Sequence, residues 1–244
     1  SRTLSAYRDT YFTPGRRGPN GIVYDWNLKD GAREAIFAKL SDLCISMETT
    51  GLPERLTIPH EVKLSEKAAA MYQQLESGIS ERTMLLPFAD GDVDAATAAI
   101  LTNKLLQLAG GAVYDENGKA QIVHDQKLEV LDQLIEEANG QPVLVFYNYK
   151  HELDRLQARY PQAVHVKEEN VVKRWNAKEI PILLANPASA GHGLNLQFGG
   201  HIAIWYSPTW NLEFFQQANK RLHRRGQAET VLIHTLSAKG TIDE

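Results

Sequence analysis

The sequence predicts an α/β fold in which a parallel sheet carries helices on both faces and follows a mainly helical segment. Two observations predict it. Within the 244 residues, the stretch 141–244 contains short apolar runs such as PVLVFY and PILLA that show no polar alternation. Helical patterns separate these runs. Strands that are apolar throughout are typical of parallel sheets buried on both faces, so the second half of the chain has the pattern of such a sheet.

The first 140 residues have a different pattern, dominated by helices. GAREAIFAKLSDLCISM predicts an amphipathic helix that holds Cys44, the single cysteine, as a buried thiol. LTIPHEVKL is extended in pattern, and SEKAAAMYQQLE predicts a helix capped by Ser65. A further helix ends at Gly110 and Gly111, and the pair Asn117-Gly118 between β-formers predicts a hairpin.

The second half alternates strands and helices in a regular order. PVLVFY, AVHV, PILLA, IAIWY and TVLIHTL predict strands, whereas HELDRLQARY, VVKRWNAK and NLEFFQQANKRLHR predict helices. Ligands of open parallel sheets bind outside the carboxyl ends of the strands, so we expect functional side chains in the loops there.

Charge and hydropathy narrow the class of protein. The chain carries a formal net charge of −4, which argues against a surface that binds nucleic acid everywhere. Residues 1–140 hold 14 positive and 21 negative side chains, and residues 141–244 hold 12 and 9, so a mildly basic second half could meet phosphates. The sequence has neither an apolar membrane span nor a signal peptide, which predicts a cytoplasmic location without membrane contact. Because the sequence lacks a starting Met, we expect a piece of a longer protein.

Common phosphate and metal motifs are not found in the sequence. It contains no G-x-x-x-x-G-K-[ST] phosphate loop and no G-x-G-x-x-G. The 8 histidines form no pair at helical ligand spacing and the single cysteine has no partner, so we predict no metal site.

The segment QQANKRLHRRGQ is the densest basic cluster. On a helix that ends at Gly226, the side chains of Gln217, Arg221 and Arg224 would share one face. Two neighbouring guanidinium groups repel each other and suit a polyanion such as a triphosphate. The alternative is a solvated basic helix end, because cations also stabilise helix C-termini.

Four segments in order resemble motifs of the Snf-type ATPases of helicase superfamily two. VLVFYNYKHELDRL resembles the fourth motif, SAGHGLNL the fifth, QANKRLHRRGQ the sixth, and KGTIDE the motif that follows. Lys220 stands where an acid is usual. The segment NPASAGHGLNLQ and the first half of the chain are most similar to the small Snf-type helicases of bacteriophages and prophages.

The resemblance implies a RecA-like sheet, which is the P-loop NTPase fold without its own P-loop. It implies that residues 1–63 are the tail of the first motor lobe and a linker, that 64–140 are a helical segment with a hairpin, and that 141–244 are the second lobe. ATP and Mg²⁺ would lie between two lobes, with the metal held by a first lobe that these 244 residues do not include.

The resemblance also implies roles for single residues. Arg224 would be the leading arginine finger on the γ-phosphate and Arg221 its companion. Residues that would line the nucleotide site are Gln217, Gly191 and Gly193. Residues that would contact nucleic acid are Asn148, Lys150, Ser189, Asn195 and Trp210.

Structural alternatives stand beside several of these roles. The glycines of the Gly191 to Asn195 loop could serve only a tight strand-to-helix turn. Asn148 could be an ordinary helix N-cap. Trp210 lies where the family has Asp-Trp-Asn-Pro but this chain has Thr-Trp-Asn-Leu, and packing in the core is the favoured interpretation of its side chain.

The leading functional hypothesis is the second motor lobe of an ATP-dependent translocase on double-stranded DNA, inactive when isolated, in a bacterial or phage-infected cell. One alternative is a non-catalytic RecA-like module that binds DNA or a protein. Another is an autonomous small-molecule enzyme, which would need a complete nucleophile or cofactor loop.

Overall fold

The computed structural model describes residues 3–17, 23, 25–40, 51–81, 98–188 and 193–244. The chain divides into two compact units, Ser1–Thr50 and Gly51–Glu244. The strands are β1 (Phe12–Pro14), β2 (Trp26–Leu28), β3 (Arg55–Val62), β4 (Ala112–Tyr114), β5 (Ala120–Ile122), β6 (Val143–Phe146), β7 (Val164–His165), β8 (Ile182–Ala185), β9 (Ile202–Trp205) and β10 (Val231–Ala238). The helices are α1 (Leu4–Tyr11), α2 (Ala32–Leu40), α3 (Glu66–Glu81), α4 (Ala98–Ala109), α5 (Gln126–Glu137), α6 (Lys150–Arg159), α7 (Val171–Asn176) and α8 (Leu212–Asn219).

The first unit is small. Helix α1 begins after Thr3, whose hydroxyl oxygen accepts a hydrogen bond from the Ala6 N–H at 3.3 Å and so caps the helix. Strands β1 and β2 pair antiparallel, and α2 follows them. The predicted helix around Cys44 is present as far as Leu40, and Cys44 itself lies outside the described residues.

The second unit is built on a six-stranded sheet in the order β3-β10-β9-β6-β8-β7. Every pair of neighbouring strands in it is parallel. Along β6 the side chains of Val143 and Val145 pack on one face with α5 and α6, and those of Leu144 and Phe146 pack on the other with α7 and α8. Both faces of the strand are therefore buried, which explains its unbroken apolar sequence and confirms the predicted α/β fold.

Strand β3 extends the sheet beyond the region that the sequence assigned to it. All of β3 pairs in register with β10, although the division at residue 63 placed it with a linker. Its residues are mostly exposed and include Pro59, features that are typical of an edge strand and that hide the buried-strand pattern. The boundary of the sheet therefore does not coincide with residue 63 or 141. The assignment of 1–63 to the tail of a first lobe stays a prediction.

Helices α3 and α4 pack with the β4–β5 hairpin in a cluster of their own. Ser65 caps α3, since its hydroxyl oxygen accepts from the Ala68 N–H at 3.3 Å. The chain leaves α4 through Gly111, which has a φ of 104°. A Cβ at Gly111 would lie 2.6 Å from the His124 backbone oxygen, so only glycine allows this close approach.

A buried ion pair connects the KGTIDE segment to helix α5. The Lys127 ammonium of α5 lies 2.5 Å from the Asp243 carboxylate, and both side chains are almost fully buried. Asp243 belongs to the terminal KGTIDE segment, and its carboxylate also accepts from the Ala238 N–H at 3.1 Å. The segment is thus held against the carboxyl end of β10.

Helix α8 is shorter than the sequence predicted. It ends at Asn219, and the Arg221 N–H donates to the Ala218 oxygen three residues back, as in a tight turn. Asn219 is buried, and its side-chain oxygen accepts a hydrogen bond from the Trp205 indole N–H at 3.0 Å. Leu222 also packs in the core. This packing overrides the helical pattern. The expected helix end at Gly226 is therefore wrong, although Gly226 does adopt a φ of 99°.

Candidate nucleotide and nucleic-acid sites

The arginines of QQANKRLHRRGQ lie in the tight turn that follows α8, here called the arginine turn (residues 220–227). Arg221 and Arg224 are both partly buried. Burial lowers the pKa of Arg221, and the charge of Arg224 lowers this pKa further. The Arg221 guanidinium stays protonated at neutral pH despite this shift. Two cations that repel each other while partly shielded from water are stabilised by an anion that contacts both.

Gln217 lies in helix α8, whereas both arginines follow the end of that helix. Gln217 lies in the last turn of α8, where its amide donates to the Glu213 carboxylate at 2.8 Å. The prediction that Gln217, Arg221 and Arg224 share one helical face is wrong, because the helix ends before either arginine.

Asn195 lies beside the arginine turn. The Arg224 guanidinium donates to the Asn195 side-chain oxygen, and the Asn195 backbone oxygen accepts from the Asn176 amide at 2.8 Å. Sequence reasoning placed Asn195 with the nucleic-acid contacts, whereas its described contacts connect it to the candidate nucleotide residues. Gly193, two residues earlier, has a φ of 59° in an exposed turn. Ser189 and Gly191 lie outside the described residues.

A second candidate site lies where β6 and β9 end. The Asn148 amide donates to the Pro208 oxygen at 2.6 Å. The N-cap of α6 is Tyr149, so the alternative of Asn148 as the N-cap is wrong. Lys150 is the first residue of α6 and is exposed. Trp210 is 63% exposed, so its packing in the core is also wrong.

These two groups lie at opposite ends of the sheet. Asn148 and Trp210 follow β6 and β9, at the carboxyl ends of the strands. Helix α8 then returns along the sheet, and its 8 residues cover about 12 Å. At the far end, the Gln227 amide donates at 2.9 Å to the oxygen of Gly200, which precedes β9. The arginine turn therefore lies at the end of the sheet where the parallel strands begin, here called the amino edge. Sequence reasoning expected ligands at the opposite end, where the strands stop, here called the carboxyl edge.

Residues 186–201 connect the two edges, because they join the end of β8 to the start of β9. Near the carboxyl edge the Asn186 amide donates to the Asn148 backbone oxygen at 3.1 Å. Near the amino edge Asn195 contacts Arg224. One covalent connection therefore touches both candidate sites.

Two residues at the carboxyl edge were missed by the sequence reasoning. Glu152 is fully buried in α6 and accepts a hydrogen bond from the Ser207 hydroxyl at 2.6 Å. The local signal was a glutamate near the start of the helical pattern HELDRLQARY, a position typical of capping. The contact with Ser207 spans 55 positions and leaves no local pattern.

No group of three or more His, Cys, Asp or Glu side chains in the described part of the chain is arranged to hold a metal ion. None of the helices described is both long and apolar enough to span a membrane.

Known proteins share both the sequence pattern and the fold. Residues 126–226 match the family model for the helicase conserved C-terminal domain. The putative protein p41 of Acyrthosiphon pisum secondary endosymbiont phage 1 is 37% identical over 215 residues, which are 84% of this chain and 46% of that protein. The putative ATP-dependent helicase/translocase YwqA of Bacillus subtilis (strain 168) is 27% identical over 79% of this chain and 22% of its own length. The chain thus spans half or less of these relatives.

Two solved structures have the same fold. The C-terminal part of the Fun30 ATPase domain superposes with a TM-score of 0.62 at 17% identity, over 79% of this chain and 88% of that one. The Sulfolobus solfataricus SWI2/SNF2 ATPase core domain gives a TM-score of 0.55 at 17% identity, over 88% of this chain and 47% of that one. Residues 126–226 are thus similar to the helicase conserved C-terminal domain, and the chain shares its fold with the C-terminal part of the Fun30 ATPase domain and with the SWI2/SNF2 ATPase core domain.

Proposed function

We propose that this chain is the second motor lobe of an ATP-dependent translocase on double-stranded DNA. Arg224 is the arginine finger that contacts the γ-phosphate, and Arg221 is its companion. The observation that carries the proposal is the arginine turn, where Arg221 and Arg224 are both partly buried and Arg224 donates to Asn195. The similarity to proteins named as ATP-dependent helicases supports the same function.

The contact of Arg224 suits a group that must reach a nucleotide. Its described partner is the neutral amide oxygen of Asn195, which orients the guanidinium without cancelling its charge. A phosphate oxygen offers a stronger, charge-assisted hydrogen bond and can replace the amide. In phosphoryl transfer such an arginine stabilises the charge that develops on the phosphate oxygens.

In this proposal the chain provides half of an ATP site. The triphosphate and Mg²⁺ are held by a first RecA-like lobe of the same protein, and Arg221 and Arg224 approach them across the cleft. Gln217, Gly191 and Gly193 line the nucleotide on this side. The 244-residue chain alone is then inactive as an ATPase, and its location is the cytoplasm of a bacterial or phage-infected cell.

The carboxyl edge is the DNA side of the lobe. Lys150 is exposed there, and Trp210 presents an indole that is 63% exposed. An ammonium group neutralises a backbone phosphate whatever the base sequence, so binding is sequence-independent and sensitive to salt. In this proposal Asn148 and Ser189 contribute to the same surface, whereas Asn195 acts with Arg224.

The proposal is tested with Arg224→Ala in the intact protein that contains this chain. We expect DNA-stimulated ATP turnover to fall about 10³-fold or more, since an arginine finger is typically worth that much. Binding of a fluorescent ATP analogue should be nearly unchanged. Arg225→Ala is the matched control, because it removes the same charge from the exposed neighbouring position. Near-normal turnover of Arg224→Ala would contradict the finger assignment and favour a non-catalytic module.

A further inference from the structure

The loops that follow β6 and β9 meet over one buried carboxylate. The Glu152 side chain is fully buried, and its Oε1 accepts a hydrogen bond from the Ser207 hydroxyl at 2.6 Å. Its Oε2 accepts from the N–H of Asn148 at 2.8 Å and from that of Tyr149 at 3.1 Å. Asn148 and Tyr149 follow β6 and Ser207 follows β9, so one carboxylate joins two loops. Together these four residues are here called the Glu152 network.

A second contact connects the same loops. The Asn148 amide donates to the Pro208 backbone oxygen at 2.6 Å. Strands β6 and β9 are parallel neighbours, with Phe146 opposite Trp205, so the two loops leave the sheet side by side. The relative position of the loops is therefore fixed by side-chain hydrogen bonds in addition to the sheet.

Capping of α6 accounts for only part of this arrangement. A glutamate at the third position of a helix commonly accepts from the backbone N–H of the N-cap residue, and Glu152 does so with Tyr149. The hydrogen bond from Ser207 serves no end of α6, because Ser207 lies 55 positions away on another loop. Burial raises the pKa of the Glu152 carboxyl, whereas the hydrogen bond from Ser207 opposes this shift. Burying a carboxylate costs free energy, which hydrogen bonds to its oxygens offset.

Two exposed residues, Lys150 and Trp210, are close in sequence to the Glu152 network. Lys150 lies directly after Tyr149, and Trp210 lies three residues after Ser207. Glu152 cannot contact DNA itself because its side chain is fully buried. We propose that Glu152 is a positioning residue that, through Ser207 and Asn148, holds the Lys150 and Trp210 loops in one arrangement for binding duplex DNA. This inference rests on the proposed function, since it assumes that the carboxyl edge is the DNA side.

The test removes one hydroxyl group at a time in the intact protein, either that of Ser207 or that of Tyr160, the C-cap residue of α6. Ser207→Ala deletes the hydrogen bond to Glu152. Tyr160→Phe is the matched control, because it deletes a 2.7 Å hydrogen bond from another largely buried hydroxyl to a carboxylate. The donor, Tyr160, directly follows α6, and the acceptor, Asp132, lies in α5.

We expect Ser207→Ala to raise the duplex DNA concentration for half-maximal ATPase stimulation about three- to tenfold, the effect of losing one ordinary hydrogen bond. The kcat at saturating DNA and the KM for ATP should stay within about twofold of the wild type. Tyr160→Phe should change none of the three quantities. An unchanged DNA requirement in Ser207→Ala, or an equal increase in Tyr160→Phe, would overturn the inference.

Hydrogen exchange separates this inference from the proposed function. In Ser207→Ala the N–H groups of Asn148 and Tyr149 should exchange about three- to tenfold faster, because the carboxylate that accepts from them has lost its anchor. Unchanged exchange at these two N–H groups would overturn the coupling of the loops. A wild-type protein whose ATPase does not respond to DNA would contradict the proposed function, while the exchange result would still decide whether the loops are coupled.

Discussion

The two edges of the parallel sheet present their candidate side chains in opposite ways. At the amino edge Arg221 and Arg224 are partly buried, and Asn195 holds Arg224 by direct contact. At the carboxyl edge Lys150 and Trp210 are exposed, and the hydrogen bonds lie in the buried network beneath them. A group that must meet one phosphate in a fixed geometry needs direct orientation. A surface that binds a long polyanion needs only its loops held in place.

The difference predicts two classes of variant. Changes at the amino edge should lower kcat and leave the DNA requirement unchanged. Changes at the carboxyl edge should raise the DNA requirement and leave the kcat at saturating DNA unchanged.

The largest of the remaining effects is expected at Arg221. Arg221→Ala in the intact protein should lower the kcat at saturating DNA about 10²-fold, because one charge that stabilises the transition state is removed. The measurement is steady-state ATPase against DNA concentration, and Lys220→Ala, an exposed neighbour, is the control. A variant that instead needs more DNA while keeping its kcat would assign Arg221 to the DNA side.

A smaller effect is expected at Trp210. Trp210→Ala should raise the DNA concentration for half-maximal stimulation about tenfold, because a large aromatic side chain is lost from the contact surface. Its free energy of unfolding should change by less than about 0.5 kcal/mol, since the residue is exposed. Chemical denaturation measures the second quantity. A clear loss of stability together with normal DNA binding would return Trp210 to a structural role.

The smallest effect is expected at Lys150 and should be visible mainly in the salt dependence. In Lys150→Ala the slope of log K for DNA against log salt concentration should become shallower by about 0.9, because one phosphate contact is lost. Fluorescence titration of labelled duplex at several salt concentrations measures this slope. Lys173→Ala, on helix α7, serves as the control. A slope equal to that of the wild type would remove Lys150 from the DNA surface.

Local patterns predicted the sheet well. The runs PVLVFY, PILLA and IAIWY indicated strands because a strand with two buried faces needs apolar side chains at every position. The hairpin at Asn117-Gly118 was also visible, since Gly118 has the positive φ of 74° that such a turn requires.

Contacts between distant residues set the limit of the sequence reasoning. Helical spacing placed Arg221 and Arg224 on α8, but the bond from Trp205 to Asn219 and the burial of Leu222 end that helix earlier. The hydrogen bond of Arg224 to Asn195 spans 29 positions, so no local pattern could reveal it. The similarity of the motifs provided the candidate residues of both sites. Only the fold showed that the two groups lie at opposite ends of the sheet.

The connection between β8 and β9 has one asparagine at each edge of the sheet, and each asparagine contacts a candidate site. Asn186 is anchored to the loop after β6, and Asn195 is anchored to the arginine that is proposed to meet the nucleotide. Asn186 and Asn195 are nine positions apart in sequence. The two candidate sites are therefore joined by a short stretch of chain as well as by the sheet.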